Sequence, residues 1–250
     1  SISAGTIDNT SGSALTVATP NSVAWNGNFS FGGTDALSFA NGTATAGGGR
    51  TITLNGTNKT LTFGPVTFNN TLTTTVNDAG TGNKLVLGGV VIADANQPRT
   101  HTFAGSAAID ITGAVVDGPG TGADGLTYTG SNVLRLMAAS GYTGITTVNT
   151  PTGILRTTST GSIGTGAVAV VRGTLELNNT AQTVSTLGFG SGTTSLQTTA
   201  ATVILGAGTT LTLTGTLTAN DNVNAQASFL SGGTIDLNGA RTWTVENTLD

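Results

Sequence analysis

Apolar residues along this chain come in short alternating pairs separated by Thr, Ser, Asn and Gly, the period-two pattern of a half-buried strand. One phrase returns three times: Thr-Ile-Thr-Leu-Asn-Gly at 51–56, Thr-Leu-Glu-Leu-Asn-Asn at 174–179 and Thr-Ile-Asp-Leu-Asn-Gly at 234–239. Each copy is followed by a second alternation, at Leu61 and Phe63, at Val184 and Leu187, or at Trp243 and Val245. A strand that runs into an Asn-Gly or Asn-Asn corner, and then recurs, predicts coils that bury their apolar side only against the next coil.

Strands are expected at 52–54, 61–63, 66–68, 72–76, 85–87, 90–92, 102–103, 109–111, 146–148, 154–155, 168–171, 175–177, 203–205, 211–213, 235–237 and 242–245. Three strands per coil give roughly 20 to 25 residues per turn. Some ten to twelve coils at about 4.8 Å each would make a rod roughly 50 to 60 Å long. Helical spacing is not sustained anywhere; Ser131 to Ser140 could form a short helix or a strand through Val133, Arg135 and Met137, and the strand is favoured. The fold expected is all-β, a single β-solenoid over residues 1–250 with a less regular stretch at 93–130. An antiparallel β-sandwich is the alternative, with Asn55-Gly56 and Asn238-Gly239 as hairpin turns.

Composition narrows the function. Charged residues make up 8% of the 250, about a third of the usual share, and the net charge is −4. No apolar run approaches the roughly 18 residues of a membrane-spanning helix, and 12 aromatic residues are too few for the girdles of a membrane barrel. Six Arg and two Lys are spread singly, which gives no basic stripe for nucleic acid. The place of charge is taken by 52 Thr and 38 Gly, one suited to a wet strand face and the other to corners. With no Cys, neither disulfides nor thiolate metal sites are available. The chain opens Ser-Ile-Ser, so a mature product or an excised fragment is expected.

Residues 141–179 carry a more specific signal. They read Gly-Tyr-Thr-Gly-Ile-Thr-Thr-Val-Asn at 141–149, Gly-Ile-Leu at 153–155, Gly-Ser-Ile-Gly-Thr-Gly-Ala-Val-Ala-Val at 161–170 and Gly-Thr-Leu-Glu-Leu-Asn at 173–178. This resembles the autotransporter-associated β-strand repeat of bacterial autotransporter-like passenger regions, with a partial echo at 231–245. It departs from that repeat at Ile145 and at Thr150-Pro151-Thr152, and the first 130 residues are similar only in style. The resemblance implies a right-handed parallel β-helix, exported and displayed outside the cell, and it brings no catalytic residues. A translocator barrel is not part of this sequence, which fits a passenger fragment or another route of secretion.

Candidate chemistry is sparse. His101 is the only histidine and has no nucleophile motif beside it, so it is expected as a polar residue on an outer face. Asp110, Asp117 and Asp124 could converge on adjacent coils as a glycosidase-like carboxylate pair, with Arg99 the only basic group nearby. The loops Asp78–Asn83 and Asp117–Asp124 offer oxygen ligands for calcium, or Asp side chains that merely stabilise turns. Trp25 and Trp243 could cap the two ends of a core or sit inside strands. Asn55-Gly-Thr and Asn58-Lys-Thr are sequons expected by chance in such a chain.

No catalytic, cofactor or metal residue is assigned, and no cofactor. The expectation is a non-enzymatic extracellular structural or adhesive β-solenoid on a bacterial surface. Its partners would be a host or neighbouring-cell surface, or copies of itself through the solenoid ends. The alternatives are a self-assembling filament or sheath subunit, in which unpaired strand edges at open ends are used head to tail, and a carbohydrate-acting lyase or depolymerase.

Overall fold

The computed structural model describes residues 1–93, 96–190, 199–221 and 228–247. These residues hold 23 strands and no helix. Every pairing between the described strands is parallel, which excludes the antiparallel sandwich. Consecutive parallel strands need a crossover between them. Here the crossover is the rest of one coil, so the chain winds as a β-solenoid with three faces, A, B and C.

One column of side chains defines the core. On face B, Leu15, Leu37, Leu61, Leu85, Ile109, Leu134, Leu155, Leu175, Val203 and Leu230 stand in register, one per coil. Ten rungs enclose nine turns, or about 43 Å at 4.8 Å per coil, somewhat shorter than the sequence suggested. Leu155 to Leu175 is 20 residues and Leu175 to Val203 is 28, the longer turn being one that contains residues outside the described set. From Leu61 to Leu175 this column is fully buried, and each such side chain contributes about 1.5–3 kcal/mol over its exposed state. Face A supplies Phe103, Tyr128, Val148, Val170 and Phe189, and face C supplies Val66, Val90 and Val115.

The recurring phrase occupies a different face in each copy. Residues 51–54 lie on face A, 174–177 on face B and 234–236 on face C. Each copy then turns a corner onto the next face rather than folding back as a hairpin. Gly56 and Gly239 have φ of 84° and 101°, and Asn238 has φ of 46°. A methyl group on Gly56 would lie 2.3 Å from the Gly33 carbonyl oxygen of the preceding coil, so the corner needs glycine for spacing as well as for φ.

Ser131 to Ser140 does hold a strand, Val133–Leu136, but Leu134 and Leu136 point inward while Val133 and Arg135 point out. Between 93 and 130 the strands Thr100–Ala104, Ala108–Ile111, Val115–Asp117 and Gly125–Tyr128 stay in the ladder; Asp94 and Ala95 lie outside the described residues. Trp25 is fully buried in its strand among Phe29, Phe63 and Phe68, whereas Trp243 is 56% exposed on the last strand. Face C has no strand in the two coils around Tyr142 and Ile163. There the buried Gln182 amide stands in for a peptide group, with Oε1 accepting from Ile163 N at 3.1 Å and Nε2 donating to Ile163 O at 3.3 Å.

Candidate interaction face

His101 is not on the outer face. In Thr100–Ala104 the alternation turns His101 and Phe103 inward and leaves Thr100 and Thr102 outside. The ring is fully buried, stacked on Phe68 and edge-on to Phe103, and neither ring nitrogen has a hydrogen-bond partner. Loss of solvation drives its pKa down to about 3, so the imidazole is neutral. It has no hydroxyl or carboxylate to work with.

The three aspartates divide between two networks. Asp110 lies on the outer side of face B, where its Oδ2 is 2.9 Å from Lys84 Nζ and its Oδ1 is 3.1 Å from Arg135 Nε. Asp117 ends a face C strand and accepts hydrogen bonds from Thr143 Oγ1 at 2.7 Å and from the backbone N–H of Thr143 and Asp124. Asp124, fully buried, accepts from the N–H of Arg99 at 2.7 Å and of Gly118 at 3.3 Å. These are turn-stabilising contacts, which hold oxygens that a cation or sugar would need. Asp78 is engaged in the same way, by Gly80 N–H, Asn83 N–H and Asn83 Nδ2. Among the described residues no three His, Cys, Asp or Glu side chains gather as a metal site.

The outer faces carry the remaining chemistry. Face A presents a column of Thr73, Thr102, Thr127 and Thr147 in direct register, hydroxyls and methyls at the spacing of the coils. Face B is different. Its outward column runs Ser38, Thr62, Val86, Asp110, Arg135, Arg156, Glu176, Ile204, Ser231. Residues scattered singly in the sequence therefore meet in four successive coils, with Lys84 reaching in from the coil before.

Of the four ion pairs among the described residues, three belong to this column: Lys84–Asp110, Arg135–Asp110 and Arg156–Glu176. The contact of Arg156 with Glu176 raises the guanidinium's pKa further. A signal for this column was present in the sequence. Arg135, Arg156 and Glu176 each follow a core leucine by one position, and those leucines recur at the coil length.

No protein-family model, curated protein or solved structure matches this chain, so the resemblance at 141–179 stands on its own residues.

Proposed function

We propose that this chain is a non-enzymatic structural or adhesive β-solenoid of the passenger type, displayed outside a bacterial cell. The observation that carries the reading is the unbroken column from Leu15 to Leu230 beneath outer faces built mainly of neutral side chains. Such an arrangement joins a stiff backbone ladder to a repetitive, weakly charged surface, which suits contact over an extended area better than chemistry at a point. The residue pattern at 141–179 supports the same reading.

The test is antibody labelling of intact cells that express the native protein, followed by electron microscopy of the purified material. Surface labelling with isolated rods is expected. Label confined to the cell interior overturns display. Continuous fibres with a constant axial repeat replace the passenger reading with that of a self-assembling filament subunit. Release of reducing ends from a polysaccharide by the purified chain overturns the non-enzymatic assignment.

A further inference from the structure

We infer that the paired arginines Arg135 and Arg156 on face B form a binding site for an anionic polysaccharide, one carrying sulfate or carboxylate groups. The two stand directly opposite each other on adjacent coils, about 4.8 Å apart along the rod. Both side chains are 38% exposed. Each faces one carboxylate on its far side through its Nε, Arg156 in a hydrogen bond to Glu176 and Arg135 in an ion-pair contact with Asp110 that lacks hydrogen-bond geometry. Their terminal Nη groups meet no protein acceptor among the described residues.

The order of charges is the informative part. Like charges directly opposite on neighbouring strands are destabilising. The rod fills equivalent positions with Ser38, Thr62 or Val86 without difficulty. A carboxylate between the two arginines would cancel them; instead Asp110 and Glu176 lie outside the pair. The result is two half-exposed guanidinium groups on adjacent coils whose Nη atoms have no hydrogen-bond acceptor among the described residues. An oxyanion that spans them recovers that cost through bidentate, charge-assisted hydrogen bonds.

The neighbouring outward column supplies Val133 and Ile154, also paired in register and half-buried. Aliphatic side chains next to the forks suit the C–H face of a sugar ring. Nucleic acid is the poorer fit, because it calls for several phosphate contacts or stacking aromatics, and this patch has two free forks and no ring beside them. The ligand is therefore a polysaccharide that carries sulfate or carboxylate groups along its chain.

This inference deepens the reading of the rod as a contact surface, yet its test is separate. Binding by the purified full chain is measured against immobilised dextran sulfate, polygalacturonate, neutral dextran and duplex DNA, whereas display is read on cells, so either can fail alone. The wild type is expected to bind dextran sulfate, polygalacturonate or both, and the anion preferred identifies the group recognised. The Arg135→Gln/Arg156→Gln double variant is expected to lose at least about tenfold in affinity, the size of one or two charge-assisted contacts. A Lys59→Gln variant, which changes a cation in a different corner, should bind as the wild type does. Unchanged strand content and melting temperature certify the double variant as folded. Equal binding to neutral dextran, no binding to either polyanion, full retention by the folded double variant, or stronger binding to duplex DNA would each overturn the assignment.

Discussion

The imidazole of His101 lies face to face with the ring of Phe68, centroids 3.5 Å apart and planes 16° from parallel. A histidine in such a place is an aromatic core residue with two unsatisfied nitrogens. Protonation inside the core would bury a charge without a partner. In the unfolded chain the ring titrates at its ordinary 6.5, and in the folded chain only near 3. Between those values the unfolded state binds the extra proton, so stability rises with pH and is lost as pH falls below 6.5. The loss approaches about 1.4 kcal/mol per pH unit.

Thermal or denaturant unfolding between pH 7.5 and 4.5 should therefore show a falling midpoint in the wild type and a flatter profile in His101→Phe and His101→Leu. Asp8, whose carboxyl is held below its ordinary 3.8 mainly by the Thr34 hydroxyl, acts beneath this window. Equal slopes in wild type and both variants would contradict the buried, neutral ring.

Leu85 sits between Leu61 and Ile109 in the core column, while Val86 beside it points outward. Leu85→Ala should cost about 2–5 kcal/mol through lost burial and the cavity left between two coils. Val86→Thr, which restores the hydroxyl of its register neighbour Thr62, should change the melting temperature little. Comparable losses in the two variants would invert the assignment of faces.

Gly105 turns a corner at φ 101°, and a methyl group there would lie 2.1 Å from the Val76 carbonyl oxygen of the coil below. Gly47 has open space around its Cβ position and no positive φ. Gly105→Ala should cost more than the roughly 1–2 kcal/mol of the backbone conformation alone. Gly47→Ala should be neutral or stabilise by about 0.4–1 kcal/mol through the unfolded chain. Differential scanning calorimetry of the two variants decides the matter; a tolerated Gly105→Ala would mean that the coils can move apart at that corner.

Asp110 answers both Lys84 and Arg135 with a side chain that is 6% exposed, while its partners are about a third exposed. Asp110→Asn should destabilise by about 1–2 kcal/mol, between the values for exposed and buried pairs, and added salt should shrink the difference. The same substitution removes the negative charge beside Arg135 and should therefore raise affinity for dextran sulfate. Weaker binding together with unchanged stability would show that Asp110 positions the arginine instead of restraining it.

Strands were legible in the sequence at Leu61 and Phe63 or Leu175 and Leu177, where two large apolar residues alternate beside a turn. The same alternation at Phe29–Phe31, Leu37–Phe39 and Leu187–Phe189 was not among the strands expected. Ala44–Ala46 was not legible because small residues suffice where the neighbouring coil supplies the bulk of Val66 and Phe68. Gly125–Tyr128 was missed although Leu126 and Tyr128 alternate into the core, because it follows a glycine-rich stretch that reads as a loop. His101 was misplaced for a related reason. Its polarity argues for the surface, but in Thr100–Ala104 the parity of Phe103 decides, and an aromatic stack accepts a neutral imidazole.

By itself, the sequence determined that the chain would form short strands broken by glycine and asparagine corners, and that these would stack. Alternation fixes which residues of a strand share a side, and the corner residues fix where it stops; both are local. Only the tertiary structure decided which face each strand joins. The same Leu-Asn phrase lies on faces A, B and C, because a corner turns the chain without recording how many corners came before. The Arg135–Arg156 pair is of the same kind. Its two members are 21 residues apart in sequence and become neighbours only when one full coil closes with a length that varies from turn to turn.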